Sequence, residues 1–263
     1  MKILVTGACG YKGSVLVPKL LQQGYKVDAL DIQWFGNELP SHQNLTVLKQ
    51  DVRNTHEIDL SGVDAIIHLA SVANDPCGDL NPKLTWEISA LATMQLADKA
   101  AKEGVKHFIY ASSGSVYGVK EEEQVTEDLS LEPISEYNKT KMVSERVLLS
   151  YADKMVVQIV RPATVCGLSP RMRLDVAVNM LTMQALKNKK ITVAAVSDIA
   201  VVDRTSIIVN TIEKIGKQKM YENFEEVHSF IVQKNQEDIS NEKGEGYLPS
   251  NLVWVPCASV HND

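Results

Sequence analysis

Short apolar runs alternate with segments of helical apolar spacing through roughly the first 165 residues of the chain. Short runs rich in Val, Ile and Leu that end at turn-forming residues predict buried parallel strands. The segments between them predict the helices that connect one strand to the next. The sequence therefore predicts an α/β fold with a doubly wound parallel sheet. Its six predicted strands are Ile3–Val5, Lys26–Leu30, Leu45–Lys49, Val63–Leu69, Lys106–Ala111 and Met155–Val160.

The regular alternation weakens after the sixth predicted strand, and this divides the chain. We predict a nucleotide-binding domain over residues 1–165 and a small C-terminal region over residues 166–263. The last forty residues or so are polar with short apolar islands, and they give no assignable pattern. The helical patterns of both parts are Ser14–Gly24, Lys83–Lys102, Ser135–Tyr151, Leu174–Lys187 and Thr205–Ile215, with one more possible strand at Ile191–Val196.

A glycine-rich turn joins the first predicted strand to the first helix. Glycines stand at Gly7, Gly10 and Gly13, between the apolar run Ile3–Val5 and a segment that continues helically to Gly24. Such a turn directs backbone N–H groups and the positive end of a helix dipole at one point, where a diphosphate can bind. Strand, glycine turn and helix together predict a dinucleotide site, although a glycine triplet alone also suits a plain structural turn.

An acidic residue follows the glycine turn at the spacing that a dinucleotide site requires. Asp31 ends the second predicted strand, about twenty residues past the glycines, where a carboxylate accepts both hydroxyls of the adenosine ribose. The same carboxylate repels a 2′-phosphate, so the sequence favours NAD over NADP. Asp51, after the third predicted strand, is a candidate contact for the adenine amino group.

Composition excludes several other classes of function. The 263-residue chain is 44% apolar and 23% charged, as in ordinary globular proteins. A net charge of −6 gives no reason to expect nucleic acid as a partner, and no apolar run is long enough for a membrane. Because Met1 leads directly into the first strand, we expect no signal peptide and a cytoplasmic protein. The four scattered cysteines predict reduced thiols and no metal site.

Three polar side chains form a candidate catalytic set. Tyr137 and Lys141 lie four residues apart on one predicted helix and therefore share a face. An ammonium beside a phenol favours the phenolate and lowers its pKa toward a useful range for acid and base catalysis. Ser113 follows the fifth predicted strand, at the same sheet edge, where its hydroxyl can bond to the substrate oxygen. His68, inside an apolar strand, is predicted to be a packed core residue rather than a ligand.

These motifs together resemble the extended short-chain dehydrogenase/reductase family, in particular its NAD-dependent sugar-nucleotide epimerases and dehydratases. The resemblance rests on TGACGYKG at 6–13, Asp31, HLA at 68–70, ASSGSVYG at 111–118 and YNKTK at 137–141. It implies a Rossmann fold with tightly held NAD, and Ser113, Tyr137 and Lys141 as catalytic residues. The small C-terminal substrate lobe that we predict after residue 165 is shorter than is usual in this family. The resemblance further implies a cofactor site formed by Gly7, Gly10, Tyr11, Lys12, Gly13, Asp31, Ile32, Asp51, Val52, Leu69, Ala70, Ser71, Tyr137, Lys141 and Pro162.

The resemblance also implies a nucleoside-diphosphate sugar as substrate and a homodimer through a four-helix bundle. The family's 4,6-dehydratases carry an Asp and a Glu directly after the catalytic hydroxyl residue, where this sequence has Gly114 and Ser115. The sequence therefore favours epimerisation, with a ketoreductase or dehydrogenase and an inactive NAD-binding module as alternatives. The sugar, the carbon and the base stay open. Candidate substrate contacts are Asp75, Thr164, Arg171 and Arg173.

Overall fold

A six-stranded, fully parallel sheet organises the protein in a computed structural model that describes residues 1–73, 75–122 and 124–189. The strands are β1 (Lys2–Thr6), β2 (Lys26–Asp31), β3 (Leu45–Lys49), β4 (Ala65–His68), β5 (His107–Ala111) and β6 (Val156–Val160). Their order in the sheet is β3-β2-β1-β4-β5-β6, which confirms the predicted doubly wound Rossmann arrangement. The order reverses between β1 and β4, and in such sheets ligands bind at the carboxyl ends of these strands.

Helices cover both faces of this sheet, and their ends carry expected capping residues. Ser135 accepts a hydrogen bond at 3.1 Å from the N–H of Asn138 and so caps the helix that carries Tyr137 and Lys141. Gly104 ends another helix in the left-handed conformation. The helices are α1 (Gly13–Gln22), α2 (Asp75–Leu80), α3 (Pro82–Trp86), α4 (Ala92–Glu103), α5 (Glu136–Leu149) and α6 (Ala177–Asn188).

Alternate side chains of the central strands supply two separate cores. On one face, Ile3 and Val5 of β1 pack with Val17 of α1. On the other face, Leu4 of β1 packs with Leu96 of α4 and the interior of β5. Because both faces of the central strands β1 and β4 are covered, these strands are mostly apolar rather than alternating, as the sequence predicted for the fourth strand. The sheet is thus a rigid platform for the residues at its carboxyl edge.

The structure differs from the sequence prediction between β4 and β5. The turn-rich segment after Ser71 contains a short helix, α2, and the single helix predicted over Lys83–Lys102 is divided. A π-helical turn at Glu87–Leu91 separates α3 from α4. Asp75 and Pro76 in the first turn of α2 favour the start of a helix there. The sequence predicted a loop instead, because this segment is rich in Gly, Pro, Asn and Asp. The predicted elements after residue 189 lie outside the described residues.

The chain falls into two units, which are described separately. The first comprises Met1–Pro162 with Ser169–Arg171 and contains the sheet. The described part of the second comprises residues 163–168 and 172–189 and contains α6. The domain boundary at residue 165 and the small substrate lobe stay predictions. No helix within the described residues is long and apolar enough to cross a membrane.

Gly7 should be far more sensitive to alanine than Gly24, although both have positive φ angles of 69° and 82°. A Cβ on Gly7 would lie 2.7 Å from the backbone nitrogen of Ala70, whereas one on Gly24 meets nothing within 4 Å. Gly7→Ala should lower the free energy of unfolding by about 2–4 kcal/mol and Gly24→Ala by about 1 kcal/mol. Urea unfolding of both variants measures this, and equal losses would contradict the close approach of the turn to β4.

Candidate functional site

The glycine turn and Asp31 meet at the carboxyl edge of the sheet. Gly7 donates its N–H to the carbonyl of Leu30 at 2.9 Å, which joins the turn to the end of β2. The N–H of Cys9 in the turn donates to Oδ2 of Asp31 at 3.0 Å. A Cβ on Gly13 would lie 2.3 Å from the carbonyl oxygen of Ala8, so α1 can approach the turn only with glycine there. The two halves of the predicted dinucleotide site are therefore adjacent.

Asp51 is held by an arginine that sequence reasoning did not single out. Nη2 of Arg53 donates to Oδ2 of Asp51 at 2.6 Å, and its Nε lies 3.1 Å from Oδ1. Hydrogen bonds from the Arg53 side chain lower the pKa of Asp51 below its usual range. The predicted contact between Asp51 and adenine stays a prediction, and the structure shows Arg53 as the group that orients this carboxylate.

Lys141 lies fully buried beneath Tyr137 on α5. Its side-chain nitrogen donates to the carbonyl oxygen of Ala111 at 2.8 Å, at the end of β5. The same nitrogen lies 5.6 Å from the ring centre of Tyr137 and 4.8 Å from that of Tyr110. A cation at these distances interacts favourably with aromatic rings. The predicted proximity of the tyrosine and the lysine is thus present in the structure.

Burial lowers the pKa of Lys141 from 10.5 to about 7, with the positive charge of Lys12 as a second cause. Glu145 acts in the opposite direction and raises the pKa. Lys12 belongs to the glycine turn, so charges from the turn and from α5 act on one ammonium. The site can therefore change its charge near neutral pH, where an ordinary lysine cannot.

Ser113 lies directly past β5, at the same edge as Lys141. Its hydroxyl caps a short 3₁₀ turn over Gly114–Tyr117 by accepting from the N–H of Ser115 at 3.2 Å. The hydroxyls of Ser113 and Ser115 are 3.1 Å apart. Within residues 111–118 the only side chains that can donate or accept protons are hydroxyls.

His68 is a core residue, as the sequence predicted. Its ring nitrogens lie 2.6 Å from the hydroxyl of Thr6 and 2.9 Å from that of Thr93. Complete burial, together with the charge of Lys141, lowers the pKa of His68 to about 3. His68 is thus neutral at any physiological pH and stacks on Tyr110, with ring centres 5.9 Å apart.

A buried ion pair beneath the site was missed by sequence reasoning. Glu145, one helical turn after Lys141, is 1% exposed and accepts from Nη2 of Arg161 at 2.7 Å. Glu145 also accepts a hydrogen bond from the hydroxyl of Ser112. Ser112 precedes Ser113 and Arg161 precedes Pro162, so one carboxylate anchors both loops. The available signal in the sequence was the spacing of four residues between Lys141 and Glu145, which places both on one face of the helix.

The remaining cofactor candidates lie along the same edge of the first unit. The carbonyl of Pro162 accepts from the N–H of Gly114 at 2.8 Å, and the hydroxyl of Ser71 lies 3.0 Å from that of Ser89. Ile32 follows β2, Val52 is buried next to Asp51, and Leu69 and Ala70 follow β4. Tyr11 and Lys12 are in the glycine turn.

The candidate substrate residues separate into two groups. In the first unit, Asp75 accepts a hydrogen bond from the hydroxyl of Ser135, at the start of the helix that carries Tyr137. Arg171 lies with its guanidinium carbon 3.8 Å from the ring centre of Phe35. In the second unit, Arg173 pairs with Asp175 at 2.5 Å, and Thr164 precedes the loop to α6.

The sheet order, the glycine turn and the Ser-Tyr-Lys arrangement define a dinucleotide-binding protein of the short-chain dehydrogenase/reductase type. The family described as the NAD dependent epimerase/dehydratase family matches residues 3–201. The chain belongs to this family. An uncharacterised UDP-glucose epimerase of Bacillus subtilis, YtcB, is 33% identical over 73% of the chain and 65% of its own length. Across three curated relatives the chain spans 41 to 65% of their length.

Several solved structures superpose on the chain. The UDP-glucose 4-epimerase of Thermotoga maritima, solved with UDP-glucose, is 27% identical over 76% of this chain and 67% of its own, with a TM-score of 0.69. The UDP-glucuronic acid 4-epimerase of Bacillus cereus, solved with NAD, is 30% identical over 73% and 66%, with a TM-score of 0.61. An NAD-dependent NDP-hexosamine 5,6-dehydratase is 26% identical over 80% and 72%, with a TM-score of 0.67.

The depressed pKa of Lys141 should make stability depend on pH. Between pH 7 and about 10.5 the unfolded lysine keeps its proton while the folded one has lost it, so stability rises with pH in this window. We expect the stability of the protein relative to Lys141→Met to increase by about 2 kcal/mol from pH 7 to about pH 9. Urea unfolding at both values measures it. A constant difference would mean that Lys141 titrates normally.

Removing the charge of Glu145 should destabilise the fold. Glu145→Gln leaves the partly buried guanidinium of Arg161 without its counter-charge, and we expect a loss of about 2–3 kcal/mol in the free energy of unfolding. Lys102→Met removes an exposed pair with Asp98 as a matched control and should change little. Chemical denaturation compares the two variants. Equal small losses would show that the Glu145 pair contributes no more than a surface pair.

Proposed function

We propose that the protein is an NAD-dependent nucleotide-sugar epimerase that works by reversible hydride transfer at a sugar carbon. The observation that carries this proposal is the buried Lys141, which is fixed by the Ala111 carbonyl and lies beneath the Tyr137 ring. A lysine buried without a carboxylate directly on its nitrogen is costly. That cost is understandable where the ammonium serves chemistry at the adjacent phenol.

The three side chains have distinct proposed roles. Tyr137 is the acid and base, which removes the proton from the sugar hydroxyl and later returns it. Lys141 stabilises the phenolate through its positive charge and binds the ribose hydroxyls on the nicotinamide side. Ser113 bonds to the same substrate oxygen as Tyr137 and orients it. NAD, when bound, accepts the hydride from the sugar carbon and gives it back.

The residues of the first unit fit NAD. Asp31 presents a carboxylate at the end of β2, where the adenosine ribose binds in this fold. The glycine turn leads into the N-terminus of α1, which suits a diphosphate. Side chains at Gly7 and Gly13 would collide with the backbone, so the turn keeps its close packing only with glycine. The solved UDP-glucuronic acid 4-epimerase and its NAD complex support the same assignment.

Epimerisation is favoured over dehydration because residues 112–118, directly after β5, include no carboxylate. Elimination of water needs an acid and a base placed on the sugar, and Gly114 and Ser115 offer neither at neutral pH. A dehydratase also superposes on this fold, so the overall likeness does not distinguish the reactions. The matched epimerases act on UDP-sugars, and we propose this substrate class here.

We also propose a homodimer through a four-helix bundle. Leu91 and Met94 of the α4 region and Leu149 of α5 are large apolar side chains exposed to solvent. Helix faces of this kind are commonly covered in oligomers. The bundle would form from these helices and their counterparts in a second copy.

The proposal is tested by measuring NAD content and sugar interconversion together. Purified protein should contain NAD that stays bound through purification. It should also interconvert UDP-glucose and UDP-galactose, or another epimeric pair of UDP-sugars, and chromatography measures this interconversion. Tyr137→Phe should keep NAD but lose at least about 100-fold in turnover. Tyr151→Phe is the matched control, because Tyr151 lies two residues past the C-terminal end of α5. This variant should keep the turnover of the parent protein.

Other outcomes of this test would contradict epimerisation. Stoichiometric consumption of added NADH with a keto sugar indicates a reductase. A dehydrated sugar product indicates a dehydratase. Bound NAD with no response to any of the UDP-, GDP-, CDP- or dTDP-sugars indicates an inactive binding module.

A further inference from the structure

The loop after β2 exposes two aromatic rings next to Asp31. Trp34 is 60% exposed and Phe35 is 69% exposed, only three and four residues past the carboxylate. Large exposed rings at the ligand-binding edge of a sheet are unfavourable unless something covers them. Their flat faces suit another flat aromatic group such as an adenine base.

This loop is fixed to the glycine turn by two contacts. The N–H of Cys9 donates to Asp31 at 3.0 Å, and the thiol of Cys9 lies 3.5 Å from Oδ1 of Asn37. In sequence, Trp34 and Phe35 lie between Asp31 and Asn37, the two residues that contact Cys9. Their position is therefore tied to the turn that is proposed to hold the diphosphate.

A distant segment of the first unit reaches the same two elements. The hydroxyl of Ser169 donates to the carbonyl of Tyr11 in the glycine turn at 2.8 Å. Two residues later, the guanidinium carbon of Arg171 lies 3.8 Å from the ring centre of Phe35. Ser169–Arg171 thus connects the diphosphate end of the site to the loop past Asp31. The contact between Arg171 and a sugar diphosphate stays a prediction, and the structure shows the Arg171 guanidinium against Phe35, four residues past Asp31.

We infer that Phe35 and Arg171 form a clasp that covers the adenosine end of the dinucleotide and slows its release. The clasp is the stacked pair of the Phe35 ring and the Arg171 guanidinium. Its guanidinium brings positive charge to a ligand whose diphosphate is negative, and its ring adds apolar contact beside the ribose. This inference rests on the proposed binding of NAD at Asp31 and the glycine turn.

The clasp predicts faster release of both NADH and ADP-ribose when either partner is removed. Full-length protein is loaded with NADH, mixed rapidly with excess NAD, and the loss of bound NADH fluorescence is followed. Phe35→Ala and Arg171→Ala should each raise the release rate about three- to tenfold. The double variant should be no faster than the faster single variant by more than about twofold, because the two side chains act as one unit.

Lys49→Ala is the matched control. Lys49 lies opposite Asp31 in the β2–β3 register, is exposed, and carries the same charge as Arg171 without belonging to the clasp. We expect its release rate to stay within about twofold of the parent protein. An equal acceleration by Lys49→Ala would show a general charge effect and overturn the clasp.

ADP-ribose lacks nicotinamide, so its release rate shows whether the clasp acts at the adenosine end of the dinucleotide. Equal acceleration for ADP-ribose and NADH supports a clasp at the adenosine end, and acceleration for NADH alone overturns it. Unchanged release rates in Phe35→Ala, Arg171→Ala and the double variant overturn the clasp but leave the proposed function intact. A parent protein that binds neither NADH nor ADP-ribose contradicts the proposed function itself, and the clasp with it.

Discussion

The buried ammonium of Lys141 is the constraint on which the rest of the site depends. A lysine nitrogen inside a protein needs hydrogen-bond partners, and here the Ala111 carbonyl at the end of β5 supplies one at 2.8 Å. This bond fixes α5 against the carboxyl edge of the sheet. Tyr137 lies one turn away on the same helix, with its ring centre 5.6 Å from the Lys141 nitrogen. This contact therefore links the sheet, the helix and the phenol.

Opposing effects act on the ammonium of Lys141, and together they lower its pKa. Burial and Lys12 disfavour its ammonium, whereas Glu145 favours it. The carboxylate of Glu145 also pairs with Arg161 and accepts a hydrogen bond from Ser112. The group that raises the pKa of Lys141 is therefore bonded to the two loops that border the site. An anionic dinucleotide near Lys12 would shift this balance toward the ammonium. The site is thus arranged so that its charge responds to what it binds.

Local patterns in the sequence predicted most of the sheet and half of the site. The six apolar runs, the glycine turn, Asp31 and the four-residue spacing of Tyr137 and Lys141 are all local signals, and the structure contains each of them. Helix α2 was not predicted because its composition is that of a turn. The partners of Glu145 and Arg171 were not predicted because Arg161 and Phe35 are distant in sequence. A hydrophobic pattern along the sequence does not predict contacts between residues that come together only when the chain folds.

The most direct test of the central claim is the near-ultraviolet absorbance of reduced nicotinamide in purified, NAD-loaded protein on addition of a UDP-sugar. If Lys141 and Tyr137 act together on bound NAD, a small absorbance should appear with UDP-glucose or an epimer and persist while the two sugars interconvert. The same experiment with Lys141→Met should show almost none. The account would be contradicted if the protein held NAD and no UDP-sugar produced reduced nicotinamide, or if Lys141→Met produced as much as the parent protein.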